Sequence, residues 1–144
     1  MSANTQLSQL ERKLYYPEAV LFHEGEEGSH AYFIERGRVE ISRKSDKGRF
    51  VLGEIGPNEI FGEMSLIDDA PRMATATAIK ETVCYIIPRQ IFEEKMGAAD
   101  PFLRALLRIF VSSIRSISPP RQEEDFLQTS KGEAIGKKDE EYIE

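Results

Sequence analysis

Between Leu14 and Pro88 the chain never runs apolar for long before a turn interrupts it. Leu14-Tyr15-Tyr16 and Val20-Leu21-Phe22 flank a turn at Pro17-Glu18. Gly25-Glu26-Glu27-Gly28 reads as a loop, Ala31 to Ile34 as a strand, Glu35-Arg36-Gly37 as a tight turn, and Arg38 to Ser42 as the returning strand. Ser45-Asp46-Lys47-Gly48 is a second hairpin tip, and Phe50 to Ile55 runs into a Gly56-Pro57-Asn58 turn. The last strand is Thr82 to Ile87, stopped by Pro88. Strands this short and evenly spaced cannot each bury a face alone. They predict a closed antiparallel β-roll or jelly roll (a double-stranded β-helix), mainly β with flanking helices.

One stretch inside that pattern breaks the alternation: FGEMSLIDDAPRMATATA, residues 61–78. Gly62 permits a tight turn and a close backbone approach to a ligand. Glu63 to Ile67 can form one short helical turn whose first N–H groups favour an anion. Pro71 stiffens the return, and Arg72 then presents a planar fork of donors suited to phosphate oxygens. Beyond it, Met73, Thr75, Thr77 and Ile79 alternate with Ala74, Ala76 and Ala78, a strand with one face of small side chains. Glu63 is out of place beside an anion, because a carboxylate repels phosphate. It should instead accept a hydrogen bond, and a ribose hydroxyl fits. The bland alternative is a strand–turn–strand closed by a Glu63–Arg72 surface ion pair of little worth.

These residues resemble the phosphate-binding cassette of the cyclic-nucleotide-binding domain, the sensor of bacterial cyclic-AMP receptor proteins and of protein kinase A regulatory subunits. FHEGEEG, YFIERGRVEI and LGEIGPNEIFGE match further family patterns in order, so the similarity spans residues 14–118. The resemblance implies that Glu63 holds the ribose 2′-hydroxyl and that Arg72 pairs with the cyclic phosphate. Backbone N–H groups around Met64, Ser65 and Met73 would assist. Phe61, Gly62 and Ala74 complete the implied site. Leu52 is named as a wall for the base and Ser118 as a residue against it, both from the resemblance alone. The ligand implied is cAMP or cGMP. In cGMP-selective relatives the residue after the cassette arginine is commonly Thr. Here it is Met73, which donates no hydrogen bond to guanine. That loss would cost roughly 1–3 kcal/mol if buried, so cAMP is expected to bind more tightly.

Charge narrows the partners. The chain of 144 residues carries a net −6, which argues against a general nucleic-acid binder. Residues 119–144 hold a net −4 of this, so an anionic ligand must be captured by a local site. No apolar run reaches the length of a membrane span and no secretory leader is evident. The single cysteine, Cys84, fits a reducing, cytoplasmic setting and reads as a small buried residue. His23 and His30 lack a third ligand of suitable spacing, so no metal site is expected. No nucleophile–base pattern or P-loop appears, and the chain is not read as an enzyme.

Residues 1–13 carry a weak helical pattern and are expected to form a leading helix or a frayed segment. A short helix is expected over 89–97, and a longer one from Pro101 to about Ile117 with Asp100 as its N-cap. Leu103, Leu107, Phe110, Ile114 and Ile117 are spaced as a coiled-coil seam, with Arg104, Arg108 and Arg115 on the opposite face. That helix is read as a lid on the roll and as a homodimer seam, or as packed on the roll of a monomer. Pro119-Pro120 ends it, and 119–144 reads as an acidic, disordered tail. The sum is a stand-alone cyclic-nucleotide sensor acting on an effector protein. The alternatives are a β-roll interaction module that has lost the nucleotide, and a cupin-type enzyme whose metal ligands the two histidines do not supply.

Overall fold

The computed structural model describes residues 7–117. Eight strands alternate with turns in the order expected: β1 (Glu11–Tyr15), β2 (Val20–Phe22), β3 (His30–Arg36), β4 (Val39–Ser45), β5 (Gly48–Ile55), β6 (Ile60–Phe61), β7 (Thr75–Ala78) and β8 (Thr82–Pro88). The short helix α1 (Met64–Asp68) interrupts them, and α2 (Arg89–Ala98) and α3 (Pro101–Ser116) follow. The strands form two antiparallel four-stranded sheets, ordered β1-β8-β3-β6 and β2-β7-β4-β5. Tyr32, Ile34, Phe61, Cys84 and Ile86 from the first meet Val39 and Ala76 from the second in one buried core. This is the β-roll expected of the turn spacing. The small residues of β7 explain how closely the sheets approach: Ala76 and Ala78 are fully buried.

Two local details place the site. Gly37 turns β3 into β4 at φ 109°, and a Cβ there would strike the Thr82 backbone at 2.5 Å. Along β4 and β5 the register pairs Ile41 with Gly53 but Ser42 with Val51, leaving Leu52 as the extra residue of a bulge. A one-residue shift moves every later side chain to the other face.

Two expectations need correction. The leading helix does not extend to Lys13, because Glu11–Tyr15 pairs with β8 from Glu11↔Ile86 to Tyr15↔Thr82. The open backbone edge of β8 outweighs a weak local helical periodicity. Residues 1–6, Ser118 and the expected tail at 119–144 lie outside the described residues. The second correction concerns α3. Its expected length and cap hold, with the Phe102 N–H donating to Asp100 Oδ1 at 2.8 Å. Packing of its apolar stripe on the roll does not, because Val111 and Arg115 face the domain instead. Val111 is its one buried residue and Arg115 bonds the cassette. The apolar stripe points outward instead, and Leu103, Leu107, Phe110, Ile114 and Ile117 are all exposed. None of the helices among the described residues is long and apolar enough to cross a membrane.

Candidate functional site

The site begins where β6 ends. Gly62, at φ 81°, swings the chain out of the sheet into α1. A Cβ there would stand 3.0 Å from Arg72 Nη1 and 3.3 Å from both the Phe22 and Tyr32 rings, so a side chain would be crowded as well as strained by the positive φ. Glu63 occupies the N-cap position, and its carbonyl accepts from the Leu66 and Ile67 N–H groups at 3.0 and 3.1 Å. Asp69 ends the helix in the left-handed region at φ 58°, its N–H donating to the Ser65 carbonyl. Pro71 then returns the chain, and the Arg72 backbone is pinned on both sides by the 25–28 loop. Its N–H donates to the Glu26 carbonyl at 2.8 Å, and its carbonyl accepts from the Gly25 N–H at 2.8 Å.

The Arg72 side chain is thereby driven inward, and only 5% of it is exposed. Nη1 donates to the Gly62 carbonyl and Nη2 to the His30 carbonyl, both at 2.7 Å. Its Cζ lies 4.0 Å from the centroid of the Phe22 ring, a cation–π contact. Among the described residues Nε is a buried donor with no partner. Burial lowers the Arg72 pKa from its ordinary value, and Tyr32 and Glu26 oppose that shift. A guanidinium keeps its charge regardless. The result is a buried cation whose neighbours are carbonyl oxygens rather than a carboxylate. Such a group is unfavourable alone and calls for an anion.

Glu63 is not that anion. No ion pair joins it to Arg72 among the described residues, so the surface-pair alternative fails. Burial pushes the Glu63 carboxyl above the usual carboxylate range, against a smaller opposing pull from its own backbone N–H and Arg72. The two side chains instead share a cavity of about 170 Å³, with Glu63 and Arg72 on its wall.

Phe61, Gly62, Glu63, Met64, Ser65, Arg72, Met73 and Ala74 all line this cavity. Leu52 does not. It is half-buried and off the cavity wall, three residues before Ile55 on β5, and Ile41 and Ile55 form the wall instead. Ser118 lies beyond the described residues. Phe22, Ile60 and Arg115 also line the cavity and were not anticipated. Phe22 was read only as a strand residue, and Ile60 was not singled out. Arg115 was assigned to the outer face of its helix.

Gly28 is a further residue that sequence reading passed over as loop. It is buried, and a Cβ there would sit 2.5 Å from Ser65 Cβ and 2.9 Å from Arg72 Cζ. The absence of a side chain at Gly28 is what lets the loop close on the guanidinium.

A family model described as the cyclic nucleotide-binding domain matches residues 12–98, well over half of the chain. The chain belongs to the cyclic nucleotide-binding domain family. Its matched span runs from β1 through the cassette to the end of α2, and α3 lies past it. The domain is similar to a cAMP-dependent protein kinase regulatory subunit of Dictyostelium discoideum, 35% identical over 59% of this chain and 27% of that one. It is 33% identical to a CRP-like cAMP-activated global transcriptional regulator of Mycobacterium tuberculosis, over 66% of this chain and 43% of the other. Among solved structures, the EAL enzyme Bd1971 in its cAMP-bound form superposes with a TM-score of 0.71 and 31% identity. That match covers 85% of this chain and 34% of the enzyme. The cGMP-bound form of the same enzyme gives 0.70. The chain therefore spans less than half the length of the curated relatives named here. The cyclic nucleotide-binding domain and its β-roll are common to them all.

Proposed function

We propose that this domain is a cytoplasmic, non-catalytic sensor that binds cAMP in preference to cGMP and signals to an effector protein through α3. The observation that carries the reading is the buried Arg72 guanidinium, whose Nε has no partner among the described residues, on the wall of a cavity that also presents Glu63. In this reading Arg72 pairs with the cyclic phosphate and Glu63 accepts the ribose 2′-hydroxyl. Phe61, Gly62, Met64, Ser65 and Ala74 frame the sugar and phosphate. Ile41, Ile55, Ile60 and Met73 supply an apolar seat for the purine, which suits a base recognised by shape rather than by a hydrogen bond. Met73 has no donor for a guanine edge, which is the basis for the preference.

The outward stripe of α3 repeats at alternating intervals of four and three residues, the pattern of a two-stranded seam. Pairing of this helix with a second copy through 101–117 buries that stripe. Calorimetric titration of the purified chain with cAMP and with cGMP tests the reading. Saturable 1:1 binding with cAMP the tighter ligand is expected. Equal or tighter cGMP binding removes the preference, and no binding of either removes the function.

A further inference from the structure

Two adjacent carboxylates end the cassette helix, and each holds an arginine from a different C-terminal helix. Asp68 receives Arg115 of α3 in a fork, with Nε donating to Oδ2 and Nη2 donating to Oδ1 at 3.1 Å. Arg115 Nη1 also donates to the Pro71 carbonyl at 3.0 Å. Asp69 receives Arg89 of α2 at 2.7 Å, and the other Arg89 terminus donates to the Gly28 carbonyl at 2.8 Å.

The two pairs differ in shielding. The Asp69 side chain is 78% exposed, so that pair is open to water and salt. The Asp68 and Arg115 side chains are 24% and 20% exposed, and their contact is a two-point, charge-assisted one. It also has little competition. Val111 is the one buried side chain of α3. Among the described residues, Arg115 is the one side chain of α3 that hydrogen-bonds the rest of the domain. The same guanidinium lines the ligand cavity. Asp68 lies four residues before Arg72 on the same cassette, with Pro71 between them, so the fastening of α3 and the anion site share one short, stiff segment.

We infer that the Asp68–Arg115 fork is the fastening that seats α3 against the cavity, and that both are positioning residues for a bound cyclic nucleotide. This rests on the cavity being the nucleotide site. Because the two sites share a segment, a ligand that settles the cassette tightens the fork. By thermodynamic reciprocity, an intact fork favours the ligand to the same degree.

The test compares the wild-type chain, Asp68→Asn, Arg115→Lys and a charge swap carrying Asp68→Arg with Arg115→Asp. Hydrogen–deuterium exchange over 101–117 and calorimetric cAMP affinity are the readouts, with circular dichroism to confirm that each variant is folded. Asp68→Asn should speed exchange over 101–117 and weaken cAMP, each by about tenfold. Arg115→Lys, which keeps the charge but cannot fork, should fall between Asp68→Asn and wild type, and the swap should recover most of both effects. Exchange over 101–117 unchanged in Asp68→Asn overturns the inference, as does a swap no better than that single variant. If the wild type binds no cAMP, the sensor reading falls, while the exchange comparison still decides whether this fork seats α3. A variant that unfolds globally is read through Arg115→Lys, for which wild-type exchange overturns the inference.

Discussion

The Arg72 guanidinium stands over the Phe22 ring, with its Cζ 4.0 Å from the ring centroid. Phe22 thus closes one side of a cation whose terminal nitrogens already serve the Gly62 and His30 carbonyls. The ring holds the fork in place without competing for its charge. Arg72→Ala should therefore weaken cAMP by about 3 kcal/mol, over a hundredfold, since a charged hydrogen-bonding partner is lost. Phe22→Leu should weaken it by about 1 kcal/mol through looser positioning. Calorimetry reads both, and unaltered affinity in Arg72→Ala would place that residue outside the site.

Gly28 makes a steric prediction. Its missing Cβ would stand 2.5 Å from Ser65 Cβ and 2.9 Å from Arg72 Cζ. Neither neighbour can yield freely, because Ser65 is buried and Arg72 is held by two carbonyls. Gly28→Ala should destabilise the domain by about 1–3 kcal/mol through overpacking. Thermal melting should show a drop of at least about 4 °C. The cAMP affinity should fall with it, and a variant that melts and binds like wild type would show that the loop relaxes.

Glu63 makes opposite predictions for stability and for binding. Burial raises its pKa above the unfolded value near 4.5, so the folded state holds the proton more tightly than the unfolded one. The stabilising share of that proton is complete below about 4.5 and is lost as pH rises through the raised value. At neutral pH the buried charge is a cost. Glu63→Gln should accordingly raise the melting temperature of the ligand-free chain at pH 7, with the gain vanishing below about pH 4.5. The same variant should lose about 1.5 kcal/mol of cAMP affinity, since the amide is a weaker acceptor for the ribose hydroxyl. Against 2′-deoxy-cAMP it should equal wild type. A lower melting temperature at pH 7, or equal losses with both nucleotides, would contradict these assignments.

The outward stripe of α3 predicts self-association. Phe110 is 54% exposed at its centre, flanked by Leu107 and Ile114. Phe110→Glu places a charge in the seam and should convert a dimer to a monomer while leaving the β-roll intact. Sedimentation velocity on both chains checks this, and a wild type that sediments as a monomer at tens of micromolar would remove the seam.

Much of this was legible in the residues because it is local. Gly62, Glu63 and Arg72 sit within one short segment whose turn, helical start and donor fork follow from residue chemistry. The Asp100 cap and the proline that follows it mark the start of α3 just as directly. What escaped reading depended on distant partners. Leu52 was placed on the cavity wall by the family resemblance alone, but alternation along β5 gives that face to Ile55, which pairs beside Ile41. Glu11 to Lys13 looked helical until the edge of β8 claimed them as strand.

The sequence by itself determined the β-roll, the cassette and the cation at its heart, since each is written in spacing and side-chain type over a few residues. Tertiary structure alone decided which way α3 faces. Its helical period places an apolar stripe and a basic edge on the same cylinder, and periodicity does not say which one meets the domain. In the folded chain Asp68, forty-seven residues away in sequence, accepts the Arg115 fork while the apolar stripe lies on the outside.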